Sequence, residues 1–385
     1  NPHRKRQKQD AASYGGLWHV VCDSGDHECV GSGLDRSVCI GLDVHPLQGG
    51  TVKTVSYVIV QVFRLVPWWL GWGAQVLPTF PLFFALQLMG WGDIIDKNQG
   101  GQAMKAEILD RGAVASWLPD RDPWGHKGDF GKLLLLCGSV GYTGAAALAA
   151  RAAVRSGAGL VFLGVPEPIY AIEAVKLDEP VVFPLAAEGG GLSPAAVPEV
   201  IRRLQDCDAC LVGPGLGRSP GVRAVVEAVL QEARCPVVLD ADGLNVLEGT
   251  TDVWNVRQAP TVLTPHDGEF RRLGGAVGPD RMASAGALAR SLGAVVLLKG
   301  HQTVVTDGTR GYENHTGNPG MATGGSGDVL AGLLVSLLAQ GLPPLEAAAC
   351  AAWIHGAAGD HCAAARGQYG LTPSDMIEAL PRFLK

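Results

Sequence analysis

From about residue 103, apolar runs alternate with polar turns at a readable period. The run KLLLLCG (132–138) is unbroken enough to be a buried strand. GAAALAARAAVRSG (144–157) predicts an Ala-rich helix with Gly just past its end, and LVFLGV (160–165) the next strand. ACLVGPGLG (209–217) is a strand running into a glycine loop, followed by a helix to about residue 233. PVVLDADG (236–243), APTVLTP (259–265), AVVLLKG (294–300) and QTVVTDG (302–308) read as four further strands. A Gly-rich loop (317–327) precedes a helix over about 328–340, and an apolar helix spans about 344–362. Uniformly apolar strands alternating with helices predict an α/β fold, with a mostly parallel sheet covered on both faces.

The first hundred residues have a different texture. NPHRKRQKQD (1–10) is a short basic run, and residues 52–92 carry only Lys53 and Arg64 as charges. That apolar segment is long enough to raise a membrane span. Pro67, Pro78 and Pro81 interrupt it, however, and its Trp residues form no interfacial belts. Three readings stand: a membrane or interfacial segment, a poorly packed appendage, or a stretch in a frame that is not the natural one. Membrane contact is not the favoured one. The division expected is an N-terminal extension of uncertain fold (1–102) and an α/β domain (103–385).

Composition narrows the class. The chain has 385 residues, 47% hydrophobic and 18% charged, with 53 Gly and a net charge of −6. It is neither a disordered tail nor a coiled coil, and its acidic balance argues against a nucleic-acid partner. Nine scattered Cys include one C-x-x-C, Cys207 and Cys210, with no second pair to complete a zinc site. Cys22, Cys29 and Cys39 with His19, His27 and His45 match no zinc spacing either. The thiols read as reduced and the protein as cytoplasmic.

The candidate chemistry sits at strand ends and at one helix start. In GNPGMATGGSGDVLAG (317–332), Gly324, Gly325 and Gly327 let the backbone approach a ligand, and a helix N-terminus suits phosphate. Asp328 in the first turn is either a favourable helix-end charge or a general base aimed at a hydroxyl. No G-K-[ST] follows, so this is not a Walker A loop. Lys299 at a strand end either meets a phosphate or is a solvated turn residue. His266 precedes a short helix bearing Asp267 and Glu269 and is either a ligand contact or structural. Asp240 and Asp242 end another strand, and capping the next helix is favoured over binding a metal. Gly138, Gly141 and Gly144 do not have the spacing of a dinucleotide fingerprint. Each feature alone favours the plainer reading. Together they place five polar or glycine-tipped strand ends where they can form one crevice.

HKGDFGK, GSVGYTGAAALAARAAVRSGAG, VGPGLG, LTPHDGEF, LLKGHQTVV and GNPGMATGGSGDVLAG occur in this order. On these motifs the chain from about 120 to 385 closely resembles the ADP-dependent NAD(P)H-hydrate dehydratases. The resemblance implies a ribokinase-like three-layer fold with a central, mostly parallel sheet flanked by helices. It implies a lyase of nucleotide repair that converts the S epimer of NADHX or NADPHX to NADH or NADPH. ADP would be the co-substrate, with Mg2+, and AMP and phosphate would be released. Carried over by position, Asp328 is the catalytic base and contacts substrate. Ala145, Gly215 and His266 contact the hydrated dinucleotide. Lys299, Gly300, His301, Gln302, Thr303 and Gly327 contact the nucleotide. No metal ligand is assigned. The partners implied are these small molecules and further copies of the chain, as a tetramer.

Two departures accompany the resemblance. The family turn usually reads T-P-H-P-G-E-F, and here Asp267 replaces the second proline. Many relatives also carry an N-terminal epimerase domain, whose glycine- and asparagine-rich loop is absent from residues 1–100, so no epimerase activity is expected. The stretch 106–128 reads as a linker-like junction. The alternatives weighed are a ribokinase-like small-molecule kinase acting on a hydroxyl or hydroxymethyl group, and a silent nucleotide-binding module tethered to a membrane.

Overall fold

The computed structural model describes residues 106–250 and 252–385. The basic run, the apolar segment 52–92, the Cys and His residues before residue 50 and the proposed boundary at 102–103 all lie outside the described residues. The described chain opens with β1 (Glu107–Ile108), α1 (Arg111–Trp117), β2 (Lys132–Leu136), α2 (Thr143–Arg155) and β3 (Leu160–Pro166). It continues through α3 (Tyr170–Lys176), β4 (Val181–Leu185), a small hairpin of β5 (Ala187–Glu188) and β6 (Gly191–Leu192), and α4 (Val197–Leu204). Then follow β7 (Ala209–Val212), α5 (Pro220–Glu232), β8 (Val237–Leu239), α6 (Asp242–Asn245), α7 (Asp252–Val256), β9 (Thr261–Leu263) and α8 (Asp267–Arg272). The last third holds α9 (Arg281–Leu292), β10 (Val295–Leu298), β11 (Thr303–Thr306), β12 (Gly311–Asn314), α10 (Ser326–Ala339), α11 (Pro344–Arg366) and α12 (Pro373–Ala379).

Ten strands form one sheet in the order β1-β12-β11-β10-β9-β8-β7-β2-β3-β4. From β10 through β9, β8, β7, β2 and β3 to β4, every pairing is parallel. β11 pairs antiparallel with both β10 and β12. The sheet is thus mostly parallel, as its apolar strands predict. The chain runs outward from β2 to β3 and β4, then returns to the other side of β2 with β7. That reversal parts the loops leaving β2 and β7, which is where open α/β sheets make a ligand crevice.

Alternation along the strands divides the interior into two cores. Leu133, Leu135 and Cys137 face the layer made by α1, α2, α10, α11 and α12, whereas Leu134 and Leu136 face α4, α5 and α9. Both sides of these strands are dry, so no polar position interrupts the run. On the first side α2 and α10 pack closely. α2 buries Ala146, Ala147, Ala149, Ala150, Ala152 and Ala153. A Cβ at Gly332 of α10 would lie 2.2 Å from the Ala149 carbonyl oxygen, so only glycine permits this approach.

Local chemistry sets the helix ends. Ser219 accepts from the Val222 amide to start α5, with Pro220 in its first turn, and Asp280 accepts from the Ala283 amide to start α9. Cys207 follows α4 and Cys210 lies buried in β7, both as free thiols. Among the described residues, no helix is long and apolar enough to cross a membrane.

Candidate active site

The ends of β2, β7, β8, β9 and β10 all open on the carboxyl edge of the sheet, and the N-terminus of α10 points into the same region. At the centre is Asp240, just beyond β8, only 1% exposed. Its Oδ1 accepts from Lys299 Nζ at 2.7 Å and from Thr264 Oγ1 at 2.7 Å. Lys299, just beyond β10, also lies 3.8 Å from Glu269 Oε2, and its side chain is 21% exposed. Burial alone would lower the Lys299 pKa. The carboxylates of Asp240 and Glu269, and more weakly Asp328, raise it above the ordinary lysine value. The ammonium is therefore a fixed positive charge facing the cleft.

Asp328 is the third residue of α10. The helix begins two residues earlier than the sequence suggests, and its N-cap is Gly325, with φ of 98° and no side chain to cap. None of the bonds around Asp240 uses the Asp328 carboxylate. Burial, then the Asp240 charge, raise the Asp328 pKa to about 7, and Lys299 opposes them. A half-buried carboxyl near neutrality at a phosphate-friendly helix end suits a general base better than a cap. Gly327 sits beside the cluster: a Cβ there would lie 3.7 Å from Lys299 Nζ and 3.9 Å from Asp240 Oδ2.

His266 is the N-cap of α8. Its Nδ1 accepts from the Gly268 amide at 2.9 Å and the Glu269 amide at 3.4 Å, and Glu269 Oε2 accepts from the His266 amide at 2.9 Å. This reciprocal capping leaves the imidazole side chain 56% exposed at the rim. His266 is thus both a cap and open to a ligand. Glu269, which sequence reasoning left without a role, joins it to Lys299. Asp267 Oδ1 accepts from Arg281 Nη1 at 2.8 Å, and Arg281 Nη2 donates to the Lys299 carbonyl at 2.9 Å. The aspartate that departs from the family turn is therefore engaged beneath the turn that follows Lys299.

Gly215 and Ala145 come together at the divergence of β2 and β7: a Cβ at Gly215 would lie 2.9 Å from Ala145 Cβ. Burial raises the pKa of the nearby Cys137 thiol, and the charges of Asp328, Asp240 and Glu173 raise it further. Gly300, His301, Gln302 and Thr303 form the turn between β10 and β11. His301 and Gln302 are exposed there, and Thr303 Oγ1 donates to the Gly300 carbonyl at 3.0 Å. These four border the ionic cluster without bonding into it. The β10–β11 connection is indeed a hairpin, but Lys299 is ion-paired and not the solvated turn residue of the plainer reading.

One expectation is corrected. Neither Asp240 nor Asp242 caps α6, whose N-cap is Ala241. Asp240 is needed to pair Lys299, and Asp242 Oδ2 accepts from the Gly217 amide at 2.9 Å, pinning the glycine loop after β7. Among the described residues, no group of three His, Cys, Asp or Glu side chains is placed to hold a metal ion. His355 was missed altogether. Its buried Nε2 donates to the Ser326 carbonyl at 2.9 Å, fixing the first turn of α10, and burial lowers its pKa to about 4. Nothing in the alanine-rich sequence of α11 marks it. Two hollows, of about 240 and 430 Å3, open on the opposite edge of the sheet and contain none of these residues.

This geometry agrees with what the chain is similar to. Residues 133–382 match the model of the NAD(P)H-hydrate dehydratase family. A bifunctional NAD(P)H-hydrate repair enzyme from Moorella thermoacetica is 43% identical over 320 residues, 81% of this chain and 60% of that enzyme. The chain spans about half to three-fifths of the length of such bifunctional relatives. The solved ADP/ATP-dependent NAD(P)H-hydrate dehydratase of Bacillus subtilis, co-crystallized with ATP and Mg2+, is 32% identical. It superposes with a TM-score of 0.63 over 73% of this chain and 98% of its own. A ribokinase-like superfamily protein from Enterococcus faecalis, 25% identical, gives a TM-score of 0.65 over 74% of this chain and 98% of its own. The three-layer architecture is thus ribokinase-like, and the chain belongs to the NAD(P)H-hydrate dehydratase family.

Proposed function

We propose that residues 103–385 catalyse the ADP-dependent dehydration of (S)-NADHX and (S)-NADPHX to NADH and NADPH. The observation that carries this reading is Asp328, with a pKa near neutrality, set beside the Lys299 ammonium at the N-terminus of α10. Asp328 takes the proton of the C6 hydroxyl as that oxygen attacks the β-phosphorus of ADP. The P–O bond to AMP breaks, and AMP leaves. The ring nitrogen then drives out phosphate as C5 loses a proton, restoring the dihydronicotinamide. Lys299 and the free amides of α10 neutralise the phosphoryl charge, and phosphoryl transfer asks mainly for such positioning and neutralisation. Gly327, Gly300, His301, Gln302 and Thr303 line the nucleotide side. Ala145, Gly215 and His266 border the dinucleotide side.

The described carboxylates make no resident metal cage, so Mg2+ enters this proposal with the nucleotide, as the magnesium complex of ADP. An ion held by phosphate oxygens and water needs little from the protein. The proposal also takes the enzyme to be a cytoplasmic homotetramer with small-molecule partners. The six free thiols of the described residues fit a reducing compartment, and light scattering of the full chain tests the assembly.

The experiment is to mix the full chain with NADHX, Mg2+ and either ADP or ATP. The near-ultraviolet band of reduced nicotinamide is followed, with AMP and phosphate measured by chromatography. Growth of that band with stoichiometric AMP from ADP supports the lyase. A stable phosphorylated product without the band would instead support a small-molecule kinase.

A further inference from the structure

We propose that Asp240 is a positioning residue for this reaction, holding the Lys299 ammonium at the point where the transferred phosphate meets Asp328. The proposal rests on the dehydratase reading and adds a residue to it. Asp240 is sealed below the cleft and cannot itself touch substrate. One of its oxygens takes both bonds, 2.7 Å from Lys299 Nζ and 2.7 Å from Thr264 Oγ1, and the other faces Gly327. Its backbone is fixed on both sides, by its own amide donating to the Val212 carbonyl at 3.2 Å and its carbonyl accepting from the Gly243 amide at 3.0 Å. A buried carboxylate is a costly way to fill space, and an apolar side chain would serve a purely structural need better.

The arrangement around Lys299 gives the device its direction. Glu269 Oε2 stands 3.8 Å from the same ammonium, on the side of His266. Without the Asp240 charge, Lys299 swings toward Glu269 and away from Gly327 and Asp328. The titratable groups around Asp240 are Lys299 after β10, Glu269 on α8, Asp328 on α10, Cys137 after β2 and His355 on α11. Cys137 stays protonated and His355 stays neutral near pH 7, so Lys299 and Asp328 are the partners that respond.

Asp240→Asn in the full chain keeps the shape and removes the charge. It should lower kcat on the order of 10²-fold, the cost of a misplaced catalytic group. The acidic limb of the kcat profile should move to lower pH, because Asp328 ionises more easily without a neighbouring negative charge. Lys299 should be acylated several-fold faster by an amine-reactive probe at pH 8, read by peptide mass against exposed Lys127, because its pKa falls. Wild-type kcat, an unmoved profile or unchanged Lys299 acylation in folded Asp240→Asn protein overturns the proposal.

If Asp240→Asn does not fold, Thr264→Val carries the test. It frees one bond of Asp240 and should cost about tenfold in kcat, and a wild-type kcat there overturns the proposal equally. The acylation readout needs no turnover. A wild-type chain inactive on NADHX would overturn the dehydratase reading, whereas faster Lys299 acylation in the variant would still support the coupling.

Discussion

Replacing Asp328 by Asn should make the protein inert and, at neutral pH and above, more stable. Burial and the Asp240 charge raise the Asp328 pKa from an ordinary 3.8 to about 7, against the pull of Lys299. The folded protein therefore binds this proton more tightly than the unfolded chain does. The sign follows from linkage: the contribution is fully present below pH 3.8 and is lost as pH rises through 7. At about 1.4 kcal/mol per tenfold in proton affinity, the ionised form costs the fold about 4 kcal/mol at pH 8. Asn carries no charge at any pH and avoids that cost. Urea unfolding of wild type and Asp328→Asn, followed by circular dichroism between pH 4 and 8, measures the difference. The variant should gain almost nothing at pH 4 and about 4 kcal/mol at pH 8. Wild-type kcat should rise with pH through about 7, where the base becomes ionised. A stability difference that stays flat across this range would refute the assignment of the displaced proton to Asp328.

Three further outcomes follow from the packing. Gly332→Ala brings a Cβ to 2.2 Å from the Ala149 carbonyl and should destabilise by about 1–3 kcal/mol, read as a lower urea midpoint. Lys299→Met leaves Asp240 buried without its cation, so it should cost about 3 kcal/mol in urea stability and weaken ADP binding measured by calorimetry. The pKa of His355, lowered by burial to about 4, gives a stability contribution present above pH 6.5 and lost as pH falls toward 4. His355→Gln should remove that acid sensitivity, about 2 kcal/mol, in unfolding curves at pH 4.5 and 7.

The buried parallel strands were legible because both of their faces are dry. β2, β7 and β10 read as unbroken apolar runs, and their tips carry the polar residues. The elements toward the sheet's two margins were not. β12 has the sequence GYEN, β4 contains Pro184, and both gain their identity from neighbouring strands. α9 is too rich in small residues to show an apolar stripe. In the site, Asp328, Lys299 and the glycine loops were visible because their local chemistry suits phosphate. The Asp240–Lys299 pair spans 59 residues and the His355–Ser326 bond 29, distances over which local pattern carries no information. Capping was favoured for Asp240 because only its neighbours in sequence were in view.

The alanine and glycine seam between α2 and α10 has a thermodynamic consequence. Alanine has no rotamers to surrender, so the α2 face of this seam orders with almost no side-chain entropy loss. Where Gly332 meets Ala149, cohesion comes from backbone-to-backbone proximity and dispersion. Such a seam is rigid and intolerant: there is no slack to absorb even a methyl group, and no rotamer change that could make room. Asp328 rides on the first turn of α10. The carboxyl proposed as the base is therefore mounted on a closely packed helix with little room to drift.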